Sequence, residues 1–365
     1  MSDDDLSSGM PTEKEYMVTT APTEPFWSEN ILFAFFDAKA DVGVWLHLGS
    51  VPNDWRLWED RIYITLPGDG GVLWVWAHGH PRAEELPKGA ALSFECIEPF
   101  KRWRLKYDGF AQYATNAEME NAYPPDSVRR RVFMDLEVEC STPVWDAHKA
   151  KSVGGKGGMD TQSWAKEHYE QLFRCTGVIR LDNAAARPNT VDNVAGSLND
   201  IAITEGVGWR DHSRGPRGGE TRDPWGGHFI VGCQFPSGKA LIFSQYWKPD
   251  GVMNLNGGCV VDKDGKFHYA EVLATPFLSH MAMQGERLPI HLKWDGGEID
   301  STMLTTKSIW IPRERKHTVG QFKQGKFDMY VLNFGPIEWD GEVGYAYIER
   351  SSHLNDLPKS VRPPE

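Results

Sequence analysis

Short segments of alternating apolar and polar residues run through the first part of the chain, each bounded by Gly, Pro, Asp or Asn. They cover residues 30–36, 42–48, 61–66, 72–76, 91–97, 103–110 and 131–140. Alternation with a period of two between turn residues is typical of antiparallel strands. In the last segment Asp135, Glu137 and Glu139 share one face, which we expect to face solvent. Helical periodicity is weak, so the pattern predicts an all-β chain.

The same kind of segment recurs after a stretch rich in Gly and Lys at residues 149–163. The later segments cover 167–181, 201–210, 228–235, 239–247, 259–261, 267–273, 290–294, 301–311, 327–334 and 342–349. A length of 365 residues suits two domains at about 150 residues each. We therefore predict two tandem antiparallel β-barrels or sandwiches, at 24–148 and 164–350, joined by a linker at 149–163. The polar, proline-bearing ends, 1–23 and 351–365, are expected to be loosely ordered tails.

Charge and hydropathy limit the kinds of partner that the chain is expected to bind. The 39 Lys and Arg residues against 51 Asp and Glu residues give a formal net charge of -12, which does not favour binding to phosphate backbones or anionic membranes. No segment approaches 18 consecutive apolar residues, and the first residues are acidic. We expect a cytoplasmic protein with no membrane span and no nucleic-acid partner. The sequence does not indicate an oligomeric state.

The five cysteines are scattered and odd in number. None forms a C-x-x-C pair with another, and this spacing suits neither a zinc site nor a disulfide framework. We expect reduced and mostly buried thiols.

The richest chemistry lies in the stretch EGVGWRDHSRGPR at residues 205–217. It gathers a carboxylate, an imidazole, a hydroxyl and three guanidinium groups between glycines. Asp211, beside arginines, is expected to be ionised unless burial raises its pKa. Two interpretations stay open: a functional site, or a tight strand end whose Asp and Arg side chains bind one another.

This stretch also carries a resemblance. The segment HYEQ at 168–171, followed by the R-D-H-S-x-G-x-R element at 210–217, resembles a bacterial family of paired lipocalin-like domains that is similar to the carotenoid 1,2-hydratases. The resemblance extends to 25–29, 98–104 and 341–349. It implies tandem lipocalin- or calycin-like domains and a cofactor-independent reaction on a hydrophobic molecule. Because the wider set includes tocopherol cyclase-like and Diels–Alderase-like proteins, the resemblance implies the fold more firmly than the reaction.

A hydratase or dehydratase of this kind needs a proton donor beside an alkene or alcohol in a dry cavity. Asp211 is the best candidate acid or base. His212 follows it directly and would point to the opposite face if both lie in a strand. His168 and Glu170 are two residues apart and could share one face. The catalytic candidates are therefore Asp211, His212, His168 and Glu170, although the alternative for His168 is a core or rim histidine with a satisfied hydrogen bond.

Basic and aromatic side chains near this stretch could orient a substrate. The arginines could hold a carboxylate or phenolate, or could lock Asp211 and Glu205 in place by charge-assisted hydrogen bonds. Aromatic residues make up 12% of the chain, and most are expected in ordinary sheet packing. The substrate-binding candidates are Trp209, Arg210, Arg214, Arg217, Trp225, His228, Tyr246 and Trp247.

We therefore favour a lyase, either a hydratase, a dehydratase or an isomerase, that acts on a terpenoid, steroid-like or aromatic small molecule without a metal or other cofactor. A lipocalin-like carrier of the same kind of molecule is an alternative. A cupin-like metal enzyme built on His78, His80 and Glu84 is another, although Pro81 ends that strand and no second cupin motif follows. A serine triad of Ser213 and His212 is rejected because adjacent side chains diverge on a strand.

Overall fold

A computed structural model describes residues 5–52, 54–120, 128–146, 148, 165–182, 200–217, 226–248, 250–278, 282, 284–311 and 328–353. These residues form two antiparallel sheets, sheet A and sheet B, with one short helix, α1 (Asn116–Glu120), and 3₁₀ turns at Thr12–Glu15 and Ala83–Glu85. The all-β prediction is confirmed. No helix in this part of the chain has the length and hydrophobicity that a bilayer crossing requires.

Sheet A contains nine strands from the first half of the chain and one later strand. They are β1 (Trp27–Asp37), β2 (Val42–Val51), β3 (Asp54–Thr65), β4 (Val72–Gly79), β5 (Leu92–Glu98), β6 (Arg102–Ala114), β7 (Arg129–Cys140), β8 (Trp145–Asp146), β9 (Glu167–Asp182) and β10 (Asp200–Pro216).

Eight of these strands close into a barrel. The order is β10-β1-β2-β3-β4-β6-β7-β9, and β9 pairs with β10 to complete the ring. β5 pairs with β6, and β8 pairs with β9. Apolar side chains fill the interior, where Phe33 meets Phe94 and Phe173 edge to face at ring-centroid distances of 5.0 and 5.6 Å. Every position of β1 except Trp27 is buried, so both faces of this strand are covered.

Sheet B contains the remaining strands. They are β11 (Gly227–Gln234), β12 (Ala240–Trp247), β13 (Met253–Val261), β14 (Phe267–Val272), β15 (Arg287–Trp294), β16 (Gly297–Leu304), β17 (Lys307–Trp310), β18 (Asp328–Trp339) and β19 (Glu342–His353).

The order in sheet B is β16-β15-β14-β13-β12-β11-β19-β18-β17, which makes an open sheet that curls like half a barrel. The curl brings β16 to β18, where the Ser301 hydroxyl donates to the Glu338 carbonyl at 2.8 Å. The concave core contains Phe229, Phe243 and Ile348. Together the barrel and the curled sheet give the predicted tandem lipocalin-like architecture.

The first compact unit includes strands from both sides of the Gly- and Lys-rich stretch. β9 and β10 belong to the first unit, because β9 pairs with β7 and β10 pairs with β1. Closing a barrel requires strands to pair across long separations in sequence, which composition does not report. The Gly- and Lys-rich stretch 149–163 lies outside the described residues, and it connects two strands of one sheet.

Described residues at both ends of the chain pack against the rest of the fold. At the N-terminal end, the turn Thr12–Glu15 buries Glu15 completely, and Met17 packs against the barrel core. At the other end, β19 includes Ser351 and Ser352, which are buried, while residues 354–365 lie outside the described residues. The five cysteines are free, and four of them are buried, as predicted.

Candidate functional site

The R-D-H-S stretch lies on β10 and divides between the two faces of the barrel wall. Successive side chains on a strand point to opposite faces. Arg210 and His212 pair with Phe33 and Ile31 of β1, both of which are core residues, so they point into the barrel. Asp211 pairs with Leu32 and points outward. The stretch therefore forms two separate chemical groups.

The inward group holds His212 on both ring nitrogens. Its Nδ1 lies 2.9 Å from the Tyr169 hydroxyl, and its Nε2 lies 3.0 Å from Glu29 Oε1. Burial and then the charge of Arg214 lower the pKa of His212, although Glu29 acts in the opposite direction. The imidazole is therefore neutral at physiological pH and is fully engaged by protein partners.

Arg210 forms a buried ion pair with the N-terminal segment. Its Nη2 donates to both oxygens of Glu15 at 2.8 and 3.1 Å, and its Nε donates to Gln171 Oε1 at 3.1 Å. Burial raises the pKa of Glu15, but the Arg210 charge and further hydrogen bonds outweigh it and leave this pKa lowered. Glu15 also accepts from Trp103 Nε1 at 2.9 Å and from the Phe100 amide at 3.1 Å.

Arg214, the third inward residue, also binds the N-terminal segment. Its guanidinium donates to Glu29, to the carbonyl oxygens of Lys14 and Tyr16, and to Glu167 at 3.3 Å. Arg210, His212 and Arg214 thus hold the end of the barrel together. This arrangement favours the structural interpretation for all three.

The outward group brings three of the predicted catalytic residues together. His168 Nε2 lies 3.3 Å from Asp211 Oδ2 and 3.6 Å from Glu170 Oε1. Trp209 Nε1 donates to the other oxygen of Glu170 at 3.3 Å. The exposed side-chain fractions are 2% for His168, 3% for Glu170 and 17% for Asp211. Asp211 is therefore the member of this group that a ligand can reach.

The two carboxylates determine the protonation of His168. Burial lowers the pKa of this imidazole, but the hydrogen bond with Asp211 and the charges of Glu170 and Asp211 outweigh it, so the pKa is raised. The two carboxylates therefore favour the protonated form of His168. A histidine held in this way can take part in proton transfer.

A second histidine lies on the same outward face. His47 on β2 and Asp211 on β10 both pair with Leu32, which lies between them on β1. His47 Nε2 lies 3.1 Å from Asn30 Oδ1, and the ring stacks on Trp45 at 5.5 Å. Burial lowers the pKa of His47 to about 4, so this imidazole is neutral. The sequence reasoning missed it, although a histidine in an otherwise apolar strand is a usable signal.

The outward face continues onto β3 and β4 with aromatic and charged side chains that are buried or half-buried. Arg61 pairs with Glu59 at 2.6 Å and lies 4.6 Å above the ring of Trp76. Trp76 Nε1 in turn donates to Glu59 at 2.7 Å. Tyr63, which is buried, lies on this face of β3, so flat rings and an ion pair lie side by side there.

Arg217 is the one arginine of the stretch that lies beside the outward group. Its Nη2 donates to the Ser213 hydroxyl at 2.6 Å, and its amide donates to the Phe26 carbonyl at 2.7 Å. Of the three arginines, it stays the best placed to meet a ligand at Asp211.

The histidines of the metal alternative bind separate carboxylates. His78 Nε2 lies 3.6 Å from Glu59, whereas His80 Nε2 lies 3.6 Å from Asp54. Glu84 lies in the turn Ala83–Glu85 and pairs with Arg82 at 3.3 Å. Across the described ranges, no three His, Cys, Asp or Glu side chains gather as a metal-binding set. The geometry therefore gives the cupin-like interpretation no support.

The candidates on sheet B also divide between two faces. Trp247 lies in the core and packs edge to face against Phe277 at 5.0 Å. His228 and Tyr246 lie on the opposite face and stack at 5.5 Å. Trp225 lies outside the described residues.

Residues 11–353 match the model of one protein family, described as a domain of unknown function, DUF7064. The chain belongs to the DUF7064 family. No curated protein sequence matches this DUF7064 chain.

Solved structures share the architecture of this DUF7064 protein. A candidate AttH of Nitrosomonas europaea matches with 11% identity over 97% of this chain and 98% of that one, at a TM-score of 0.54. CghA, in a structure with Sch210972, matches with 9% identity over 92% and 90% of the two chains, at a TM-score of 0.51. At these identities the likeness concerns the fold alone. The finer resemblance to carotenoid 1,2-hydratases stays a prediction.

Proposed function

We propose that this DUF7064 protein is a cofactor-independent lyase that adds water to, or removes water from, a hydrophobic small molecule. The contact of 3.3 Å between His168 Nε2 and Asp211 Oδ2 carries the proposal. It pairs a proton-holding imidazole with a carboxylate that a ligand can reach. Asp211 is then the catalytic residue. His168 and Glu170 are positioning residues that hold the proton and supply it to Asp211.

In the dehydration direction, Asp211 delivers the proton that it shares with His168 to the hydroxyl group of the substrate. The C–O bond breaks, water leaves, and positive charge develops on carbon. The Asp211 carboxylate then takes a proton from the neighbouring carbon, and the C–H electron pair forms the alkene. Hydration is the reverse sequence, and neither direction requires an oxidant or reductant.

The aromatic side chains on the face that carries Asp211 suit this chemistry. The rings of Trp45, Tyr63 and Trp76 lie on the same outward face of sheet A. Ring faces attract a developing positive charge and bury apolar substrate surface. This favours a terpenoid, steroid-like or aromatic substrate, and Arg217 would meet an anionic group on it. The CghA structure with Sch210972 is a precedent for a protein of this architecture studied with a ligand.

The test is turnover of a panel of tertiary alcohols, allylic alcohols and the corresponding alkenes, with products identified by mass spectrometry. We expect a mass change of one water molecule. Asp211→Asn, which is nearly isosteric, should reduce turnover by about 10²–10⁴-fold while ligand binding and the thermal unfolding midpoint stay unchanged. Asp300→Asn, at an exposed position on sheet B, is the matched control and should leave turnover unchanged.

Two results would contradict this proposal. Retention of full activity by Asp211→Asn would remove its catalytic role. Tight binding of panel members without any product, in both wild type and Asp211→Asn, would favour the lipocalin-like carrier instead.

A further inference from the structure

Sheet B carries a second buried constellation, formed by Ser351, His228 and Glu349. The Ser351 hydroxyl lies 2.7 Å from His228 Nδ1, and His228 Nε2 lies 2.8 Å from Glu349 Oε1. All three side chains are buried. The serine and the glutamate therefore each contact a different ring nitrogen of one imidazole.

The hydrogen bonds fix where the protons lie. The Glu349 carboxylate can only accept, so the one proton of the neutral imidazole lies on Nε2 and is donated to Glu349. Nδ1 is then unprotonated and accepts from the Ser351 hydroxyl, whose oxygen also accepts from the backbone amide of His228 at 3.2 Å. This tautomer is the one in which histidine can take the proton of a serine hydroxyl.

Glu349 is held as an anion. Burial raises the pKa of its carboxyl, but hydrogen bonds from His228, Tyr330 and Tyr347 outweigh this effect and lower the pKa. A buried carboxylate at Nε2 stabilises the imidazolium that forms when Nδ1 accepts a proton. Glu349 is thus a positioning residue that acts through His228.

The surroundings of His228 indicate the kind of substrate. Its ring stacks on Tyr246 at 5.5 Å with an interplanar angle of 23°, and it meets Tyr330 edge to face at 5.5 Å. These residues lie on the face of sheet B opposite its apolar core, since Phe229, the next residue on β11, packs into that core. Flat aromatic side chains favour a flat aromatic group on the ligand.

We propose that Ser351, His228 and Glu349 form an acyl-transfer site that hydrolyses carboxylic esters bearing an aromatic group. Ser351 Oγ bonds to the ester carbonyl carbon while its proton passes to His228 Nδ1. The C–O bond to the alcohol breaks, and His228 returns the proton to the departing alkoxide. Water then attacks the acyl-serine with the same proton transfers, which releases the acid and restores Ser351.

The first test is covalent labelling of the full-length protein with an aryl-bearing fluorophosphonate, read by intact mass and peptide mapping. We expect one adduct, on Ser351, with Ser213 unlabelled. Ser351→Ala should abolish labelling, and His228→Gln should slow it by about 10²–10⁴-fold. Ser308→Ala is the matched control, because Ser308 is buried in the same sheet and bonds Asn333 rather than an imidazole.

Hydrolysis of p-nitrophenyl benzoate provides the second readout, and all variants are first checked for an unchanged thermal unfolding midpoint. Glu349→Gln should slow hydrolysis and move its pH profile to lower pH, because the carboxylate no longer favours the imidazolium. A purely structural glutamate would not move that profile.

Absence of a Ser351 adduct in folded wild-type protein would overturn the proposal, as would equal labelling of wild type and His228→Gln. Labelling of Ser351 is read separately from the gain or loss of water at Asp211. The failure of one proposal is therefore distinguishable from the failure of the other.

Discussion

One strand in each sheet, β10 in sheet A and β19 in sheet B, carries the same outward pattern with different partners. Each has a carboxylate two residues before a serine. On β10, Asp211 contacts His168 from β9, while Ser213 accepts from Arg217. On β19, Glu349 and Ser351 both bind the single imidazole of His228 from β11.

The difference is traceable to one position in the sheet register. Ser213 pairs with Asn30 on β1, whereas Ser351 pairs with His228 on β11. Where that position is an amide, as at Asn30, the serine binds an arginine. The carboxylate then binds a histidine from the other neighbouring strand. The two strand pairs therefore have equivalent backbone arrangements. The residue that pairs with the serine determines which chemistry each group of side chains can perform.

Each of the two sheets also buries an arginine, but the carboxylates that bind the two arginines differ in their exposure to solvent. Arg210 binds Glu15 and Gln171, and Arg350 binds Glu286 and Asn333. The Glu15 side chain is 0% exposed, whereas that of Glu286 is 10% exposed.

The largest expected effect follows from this contrast in burial. Glu15→Ala leaves the Arg210 charge buried without its partner, which should cost about 3–5 kcal/mol of unfolding free energy. Glu286→Ala should cost less, about 1–3 kcal/mol, because water can reach part of that site. Urea denaturation of both variants measures the difference, and equal costs would show that burial does not separate the two ion pairs.

The next effect concerns proton supply at Asp211. His168→Gln removes the imidazolium, so the proposed lyase rate should fall by about 10²-fold. In wild type the rate should decline as pH rises through the raised pKa of His168. A pH–rate profile measures this decline, and an unchanged profile in His168→Gln would remove His168 from the proton path.

A substitution on β11 tests whether the register position decides the chemistry. His228→Asn gives sheet B the residue that sheet A has at Asn30. We expect Ser351 labelling to disappear and the unfolding free energy to fall by about 1–3 kcal/mol, because Glu349 loses a buried hydrogen bond. The measurement combines peptide mapping with urea denaturation. Persistent labelling would show that the residue at this register position does not determine the chemistry of the strand.

The smallest effect is the pH dependence of stability, which has opposite signs at the two carboxylate sites. His168 has a raised folded pKa, so its contribution is complete below the unfolded value of about 6.5 and is lost as pH rises through the folded pKa. Glu349 has a lowered folded pKa, so its contribution is present above about 4.3 and is lost as pH falls through the folded pKa. Denaturation of His168→Gln and Glu349→Gln at pH 3, 6 and 9, each against wild type, measures both trends. A cost for His168→Gln that grows toward pH 9 would contradict the first sign.

Alternation along the chain predicted which side chains share a face. It separated His212 from Asp211 and placed His168 with Glu170, as the structure shows. It could not predict partners, because the face of a side chain is a local property and strand pairing is not. The contact between His228 and Glu349 spans 121 positions in sequence. Glu15 lies in the polar segment TEKE, where no periodicity marks it as buried.

The anchoring of Glu15 has a consequence for synthesis on the ribosome. Its arginine partner lies 195 residues further along the chain, and Tyr169, which also binds it, lies 154 residues away. At about 5–20 residues per second, the segment that seals the barrel waits roughly 10–40 seconds for its partners to emerge. A segment that is made well before its partners is therefore among the last to reach its final place.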